Sequence, residues 1–165
     1  MRLWHKDFIP ALPRLQLVAQ LRECVLIAKN IYEGKRHIHC LIDPLFDYPP
    51  AHFSSYCRLV VEEMDRRCYR VRPETFWKLE KYIGYNKKPI IETKRIFSDW
   101  HHEIYLDICF YNLLEKYHCG AIQQDEFQIV LNKYFERKHW NGALDGVPFE
   151  YQMEPYTPYN KEKKI

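Results

Sequence analysis

Pro13-Arg14-Leu15-Gln16-Leu17-Val18-Ala19-Gln20-Leu21-Arg22-Glu23-Cys24-Val25-Leu26-Ile27-Ala28-Lys29-Asn30 is the stretch on which the fold turns. After Pro13, no Gly or Pro interrupts the chain until Gly34. Pro13 suits the approach to a helix, because a first helical turn needs no amide donor. Leu15, Val18, Ala19, Arg22, Val25 and Leu26 recur at helical spacing, and so do Leu17, Leu21, Cys24 and Ala28. A helix apolar around most of its circumference is expected to be largely buried, with the rest of the fold arranged around it.

Outward from this helix, residues 1–12 read as irregular. In residues 34–50, Asp43-Pro44 and Pro49-Pro50 argue against a regular element. Residues 51–69 read as a second helix through Phe53, Tyr56, Leu59, Val60, Met64 and Cys68. Pro73-Glu74 opens a third that runs to Ile83, with Gly84 as its stop. A connection over 85–100 carries Lys87-Lys88 and Lys94-Arg95. His101 to His118 is helical and capped by Gly120, and Asp125 to Arg137 gives the last helix. No useful run alternates with strand period. These readings predict an all-α, single compact domain of about five helices over residues 1–140. An extended aromatic-basic tail over 141–165 is expected to follow, with Tyr151, Tyr156 and Tyr159 preceding Lys161, Lys163 and Lys164.

The length of 165 residues suits one core. Aromatic content is high at 16%, with thirteen Tyr, which serve cores first and stacking surfaces second. Net charge is +3, and a pI of about 8.5 is by itself weak evidence for nucleic acid. The distribution says more: residues 1–70 hold eleven Lys/Arg against eight Asp/Glu, and residues 71–165 hold fourteen against fourteen. A polyanion is expected to face the first half. Met1-Arg2-Leu3-Trp4-His5-Lys6-Asp7 lacks the apolar region of a secretory signal, and no run approaches the length of a membrane span. Six Cys form no paired framework and are expected to be reduced and mostly buried, in a cytoplasmic monomer that joins the nucleoid when bound to DNA.

Arg22 and Glu23 sit inside the most apolar helix, where charge is costly unless paired or functional. A salt bridge to another helix, or emergence at the edge of the core, would also account for them.

The segment from Leu12 to Glu23 resembles the corresponding helix of the phage-type pyrimidine-dimer DNA glycosylases, the endonuclease V family. Leu12, Leu17, Ala19 and the pair Arg22-Glu23 match without a gap. Gly34-Lys35-Arg36 resembles the family's Gly-Lys-Arg loop. Arg58 to Val71, with Glu62-Glu63 and Arg66-Arg67-Cys68-Tyr69, is similar to its next long helix. The opening seven residues look like those of cellular members, and the likeness covers roughly residues 1–71.

The resemblance implies a bifunctional glycosylase and abasic-site lyase (a hydrolase and lyase of DNA repair) acting on damaged double-stranded DNA, pyrimidine dimers or abasic sites, with no cofactor and no metal. The α-amine of Met1 would attack C1′ of the damaged nucleotide, the base would leave, and a Schiff base would form before β-elimination. Glu23 would stabilise charge and move protons, and Arg22 would hold DNA beside the site. Arg2, Arg14, Gln16, Lys35, Arg36 and His37 would be the DNA-binding set. Arg2 is too large for ordinary removal of Met1, so Met1-Arg2-Leu3 stands against the family's Thr-Arg-Ile start. Gln16 stands where the family has His, and Leu26 where it has a second Arg. A helical DNA-binding or interaction protein on the same scaffold, without the chemistry, is the alternative.

His37, His39 and Cys40, with His52, offer metal-binding side chains at a spacing that suits no common zinc site. Lys35-Arg36-His37 fits phosphate contact better, although a solvated loop would look the same. His101-His102 are expected at the surface.

Overall fold

The computed structural model describes residues 2–36 and 39–138. Among them are five α-helices and no strand: α1 (Arg14–Tyr32), α2 (Pro50–Arg66), α3 (Pro73–Ile83), α4 (Glu103–His118) and α5 (Gln124–Arg137). The all-α class and the order of helices are as expected. The tail expected over 141–165 lies outside the described residues.

Local chemistry sets most helix ends. Pro50 and Pro73 open α2 and α3, where a missing N–H costs nothing. Gly34 (φ +78°) and Gly84 (φ +61°) take the left-handed conformation that stops α1 and α3. His102 caps α4 by accepting the Ile104 N–H. Segments expected to be irregular contain short 3₁₀ helices at Lys6–Ala11, Asp43–Asp47 and Thr93–Arg95. Pro10 and Pro44 are tolerated there because so short a helix needs few internal donors.

Three expectations change. α1 packs on α2 and α3 through Leu17, Gln20, Leu21, Cys24, Ile27 and Ala28. Its opposite face is open, with Leu15 69% and Leu26 45% exposed on either side of Ala19 and Arg22. A few short helices cover only part of α1's circumference, so its extra apolar residues remain outside. Cys24, Cys57 and Cys109 are buried and free, whereas Cys40, Cys68 and Cys119 are free and exposed. His101, expected at the surface, is 3% exposed, because the turn before α4 folds it inward; only His102 is outside.

The core is threaded by the opening segment. Leu3, Trp4, His5 and Lys6 are buried, and Tyr56, Phe97, His101 and Tyr105 gather around them. Two charge clusters fasten the segment that follows. Buried Glu63 accepts from Arg66 and Arg67, and Arg67 also donates to the carbonyls of Leu12 (2.6 Å) and Pro10 (2.9 Å). Arg137 of α5 binds Asp7 at 2.7 Å and Glu103 at 3.0 Å.

Burying an extended segment requires a partner for each polar backbone group. Tyr105 supplies one, its hydroxyl donating to the Leu3 carbonyl at 2.6 Å. Tyr105→Phe strands that oxygen, and denaturant unfolding is expected to show a loss of about 1–3 kcal/mol. A loss below about 0.5 kcal/mol would mean that the oxygen finds water and the segment is not held there.

Candidate active site

The site is built where the opening segment lies along α1. Extended backbone presents alternate amides on one side, and an α-helix presents residues three apart on one flank. Arg2 and Trp4 meet Glu23 and Gln20 in this way. The Arg2 N–H donates to Glu23 Oε2 at 2.7 Å, and the Trp4 N–H donates to Gln20 Oε1 at 3.1 Å. On the other side, the Tyr56 hydroxyl donates to the Trp4 carbonyl at 2.7 Å, beside the Tyr105–Leu3 bond. The His5 N–H points to Cys109 Sγ at 3.3 Å, and the Lys6 N–H donates to His101 Nδ1 at 3.0 Å. The segment is thus gripped by α1, α2, α4 and the turn before α4.

Glu23 is half-buried at the edge of this grip. Oε2 is engaged by the Arg2 amide, while Oε1 has no hydrogen bond within the described residues. Arg2 lies over the Trp4 ring, 5.4 Å from its centroid, and its Nη1 is buried without a partner. Of the buried groups, Lys6 has its amine pushed below the usual lysine range by burial, and the amine donates to the Ile96 carbonyl at 2.7 Å. Burial also raises the thiol of Cys109 to about 11, so it is not a nucleophile at neutral pH.

The other expected site residues are spread along α1 and beyond it. Met1 and His37 lie outside the described residues. Gln16 shares the flank of Gln20 and Glu23 and is half-buried, its Oε1 enclosed without a partner. Arg22 is exposed and lines a cavity of about 930 Å³ on the opposite flank. Arg14 is exposed at the start of α1, with its guanidinium 5.4 Å from the centre of the Tyr69 ring. Lys35 and Arg36 are exposed just beyond the far end of α1, whose last residue, Tyr32, lies ~13–14 Å from Glu23 along the helix axis. They line a second cavity of about 780 Å³ together with Lys87 and Lys88.

Sequence reading missed Gln20, Tyr56 and Tyr105, which place the segment, and Arg70, Arg72 and Lys78, which join Arg22 around the larger cavity. Only Gln20 carried a signal, as a polar residue three before Glu23 on an apolar helix. Among the described residues no cluster of His, Cys, Asp and Glu could hold a metal. His52 instead accepts the Phe97 N–H at 3.1 Å. No helix of the described residues is long and apolar enough to cross a membrane.

No curated protein and no solved structure matches the chain. Residues 1–76 match the family model described as pyrimidine dimer DNA glycosylase. The match spans the gripped segment, α1 with Arg22 and Glu23, α2 and the start of α3. Over residues 1–76, a little under half of its length, this chain is therefore similar to the pyrimidine dimer DNA glycosylase family.

Proposed function

We propose that the protein is a DNA glycosylase with abasic-site lyase activity, using a Schiff base on the α-amine of a retained Met1. The observation that carries this reading is the 2.7 Å hydrogen bond from the Arg2 amide to Glu23 Oε2. Three bonds of ~4.3 Å total length join the α-amine to Arg2 N, so bond lengths alone keep the amine within ~7 Å of that oxygen. An amine and a carboxylate tethered this closely can act on one sugar.

The chemistry follows from the two groups. An α-amine has a pKa of ~7.7–8.0 against ~10.4 for Lys, so much more of it is a free nucleophile at neutral pH. It adds to C1′ and the base departs with its bonding electrons and a proton. The ring C–O bond then opens to give the imine. Glu23 balances positive charge at the sugar and takes a proton from C2′. The electrons of that C–H bond expel the 3′ oxygen with its phosphate, and the strand breaks. Hydrolysis of the imine returns the free amine. Arg22, Arg14, Lys35 and Arg36 supply positive charge for the DNA backbone.

Borohydride trapping on duplex DNA with one abasic site tests this. Reduction locks the imine, and the expected adduct maps by peptide mass to Met1 and is lost when the amine is acetylated. An adduct on a lysine, or none from folded protein, would favour a scaffold that binds DNA without the chemistry.

A further inference from the structure

The cavity beside Arg22 is not used by this mechanism. It lies between α1 and the segment from Arg70 to Lys78, which leads into α3. Arg22, Arg70, Arg72 and Lys78 surround it with one carboxylate, Glu74, over a floor that includes Val18, Val25 and Val71. All four cations are exposed. Among the described residues none of them is in an ion pair, whereas Arg66, Arg67, Arg137 and Lys138 all are. Four cations against one carboxylate leave this concave surface net positive, which focuses a positive potential, and arginine forks match phosphate oxygens.

The position of the cavity identifies which phosphates. On α1, Leu21, Arg22 and Val25 face the cavity, while Gln20 and Glu23 face the gripped segment. Leu15, Ala19 and Leu26 stand exposed between the two flanks. A helix with its side chains is ~10–12 Å across, the same order as the ~6 and ~12 Å grooves of DNA. A single strand presenting its sugar to Glu23 would have to cross this ridge to reach the cavity. The two strands of a duplex would straddle it.

We propose that the groove formed by Arg22, Arg70, Arg72 and Lys78 holds the phosphate backbone of the strand opposite the damaged one. This rests on the reading of Glu23 as the group that meets the damaged sugar. The groove then makes the protein selective for double-stranded over single-stranded substrate.

The test is binding of a tetrahydrofuran abasic analogue, as a duplex and as the same strand alone, over a range of salt. In the doubly substituted Arg72→Ala, Lys78→Ala protein, duplex affinity is expected to fall roughly tenfold or more and the salt slope by about two units. Affinity for the single strand is expected to hold within about twofold, since no opposite strand is present to lose. A second arm needs no variant: neutral methylphosphonates in the strand opposite the lesion should weaken native protein by a similar factor and add little to the double substitution. Equal losses on single strand and duplex would place the damaged strand in the groove and overturn the proposal, as would unchanged duplex binding. Failure of borohydride trapping would sink the lyase reading alone, because these binding arms do not depend on turnover.

Discussion

Glu23→Gln is expected to slow strand cleavage at an abasic site by roughly 10²–10⁴-fold, the range lost when a positioned acid or base is removed. The substitution keeps a carbonyl oxygen where Oε2 now accepts the Arg2 amide, so the segment stays on α1 while the charge and the proton acceptor go. Glu23→Ala removes both functions and separates them: it should cost stability as well, by about 1–3 kcal/mol, because a charge-assisted hydrogen bond is lost. Single-turnover cleavage and thermal unfolding on the same preparations make the comparison. If Glu23→Gln cleaves within about tenfold of the native protein, Glu23 serves only to fasten the segment, and the chemistry belongs elsewhere.

Acid is expected to loosen the site well before it titrates ordinary carboxylates. His5 is held neutral: burial lowers its pKa from 6.5 to about 4, with Asp7 and the His101 carbonyl opposing the shift and Lys6 and Arg137 adding to it. His101 is pushed well below its ordinary value by burial, and by the charges of His5, Lys6 and His102. The hydrogen bonds say why protonation is resisted. His5 Nδ1 accepts from the Asp7 N–H at 3.2 Å, which the donation of Nε2–H to the His101 carbonyl at 2.8 Å only partly offsets. His101 Nδ1 accepts from the Lys6 N–H. A proton on either Nδ1 would face a backbone donor.

The folded pKa of His5 is depressed, so the unfolded chain binds protons first as pH falls. Its contribution is therefore fully present above pH 6.5 and lost as pH falls toward about 4. For His5 alone this is on the order of 3 kcal/mol, and His101 acts in the same direction. Urea unfolding at pH 7.5, 5.5 and 4.5 measures it. His5→Gln should flatten the profile, whereas variants of Glu63, whose paired carboxyl lies below its ordinary range, should change it only at more acidic pH. A flat native profile over this window would mean that the imidazoles gain protons without cost, and that the segment is held by other contacts.

What could be read from the chain alone was local. The periodicity of residues 14–30, Pro73 and Gly84 around α3, and Gly34 after α1 depend on contacts three or four residues apart and on backbone preference at single positions. They determined an all-helical fold and put Arg22 and Glu23 on neighbouring positions of one helix. Periodicity says which residues share a face but not what covers it. Tertiary packing alone decided that Leu15, Arg22 and Leu26 face outward while Gln20 faces in. It also drew a polar segment into the core, since the side chains satisfying residues 2–6 come from Gln20, Glu23, Tyr56, His101, Tyr105 and Cys109. The cationic groove is non-local too: Arg22 meets Arg70, Arg72 and Lys78 only because α3 packs against α1. Hydrogen bonding and charge act through space, so partners far apart in sequence leave no pattern in it until the chain has folded.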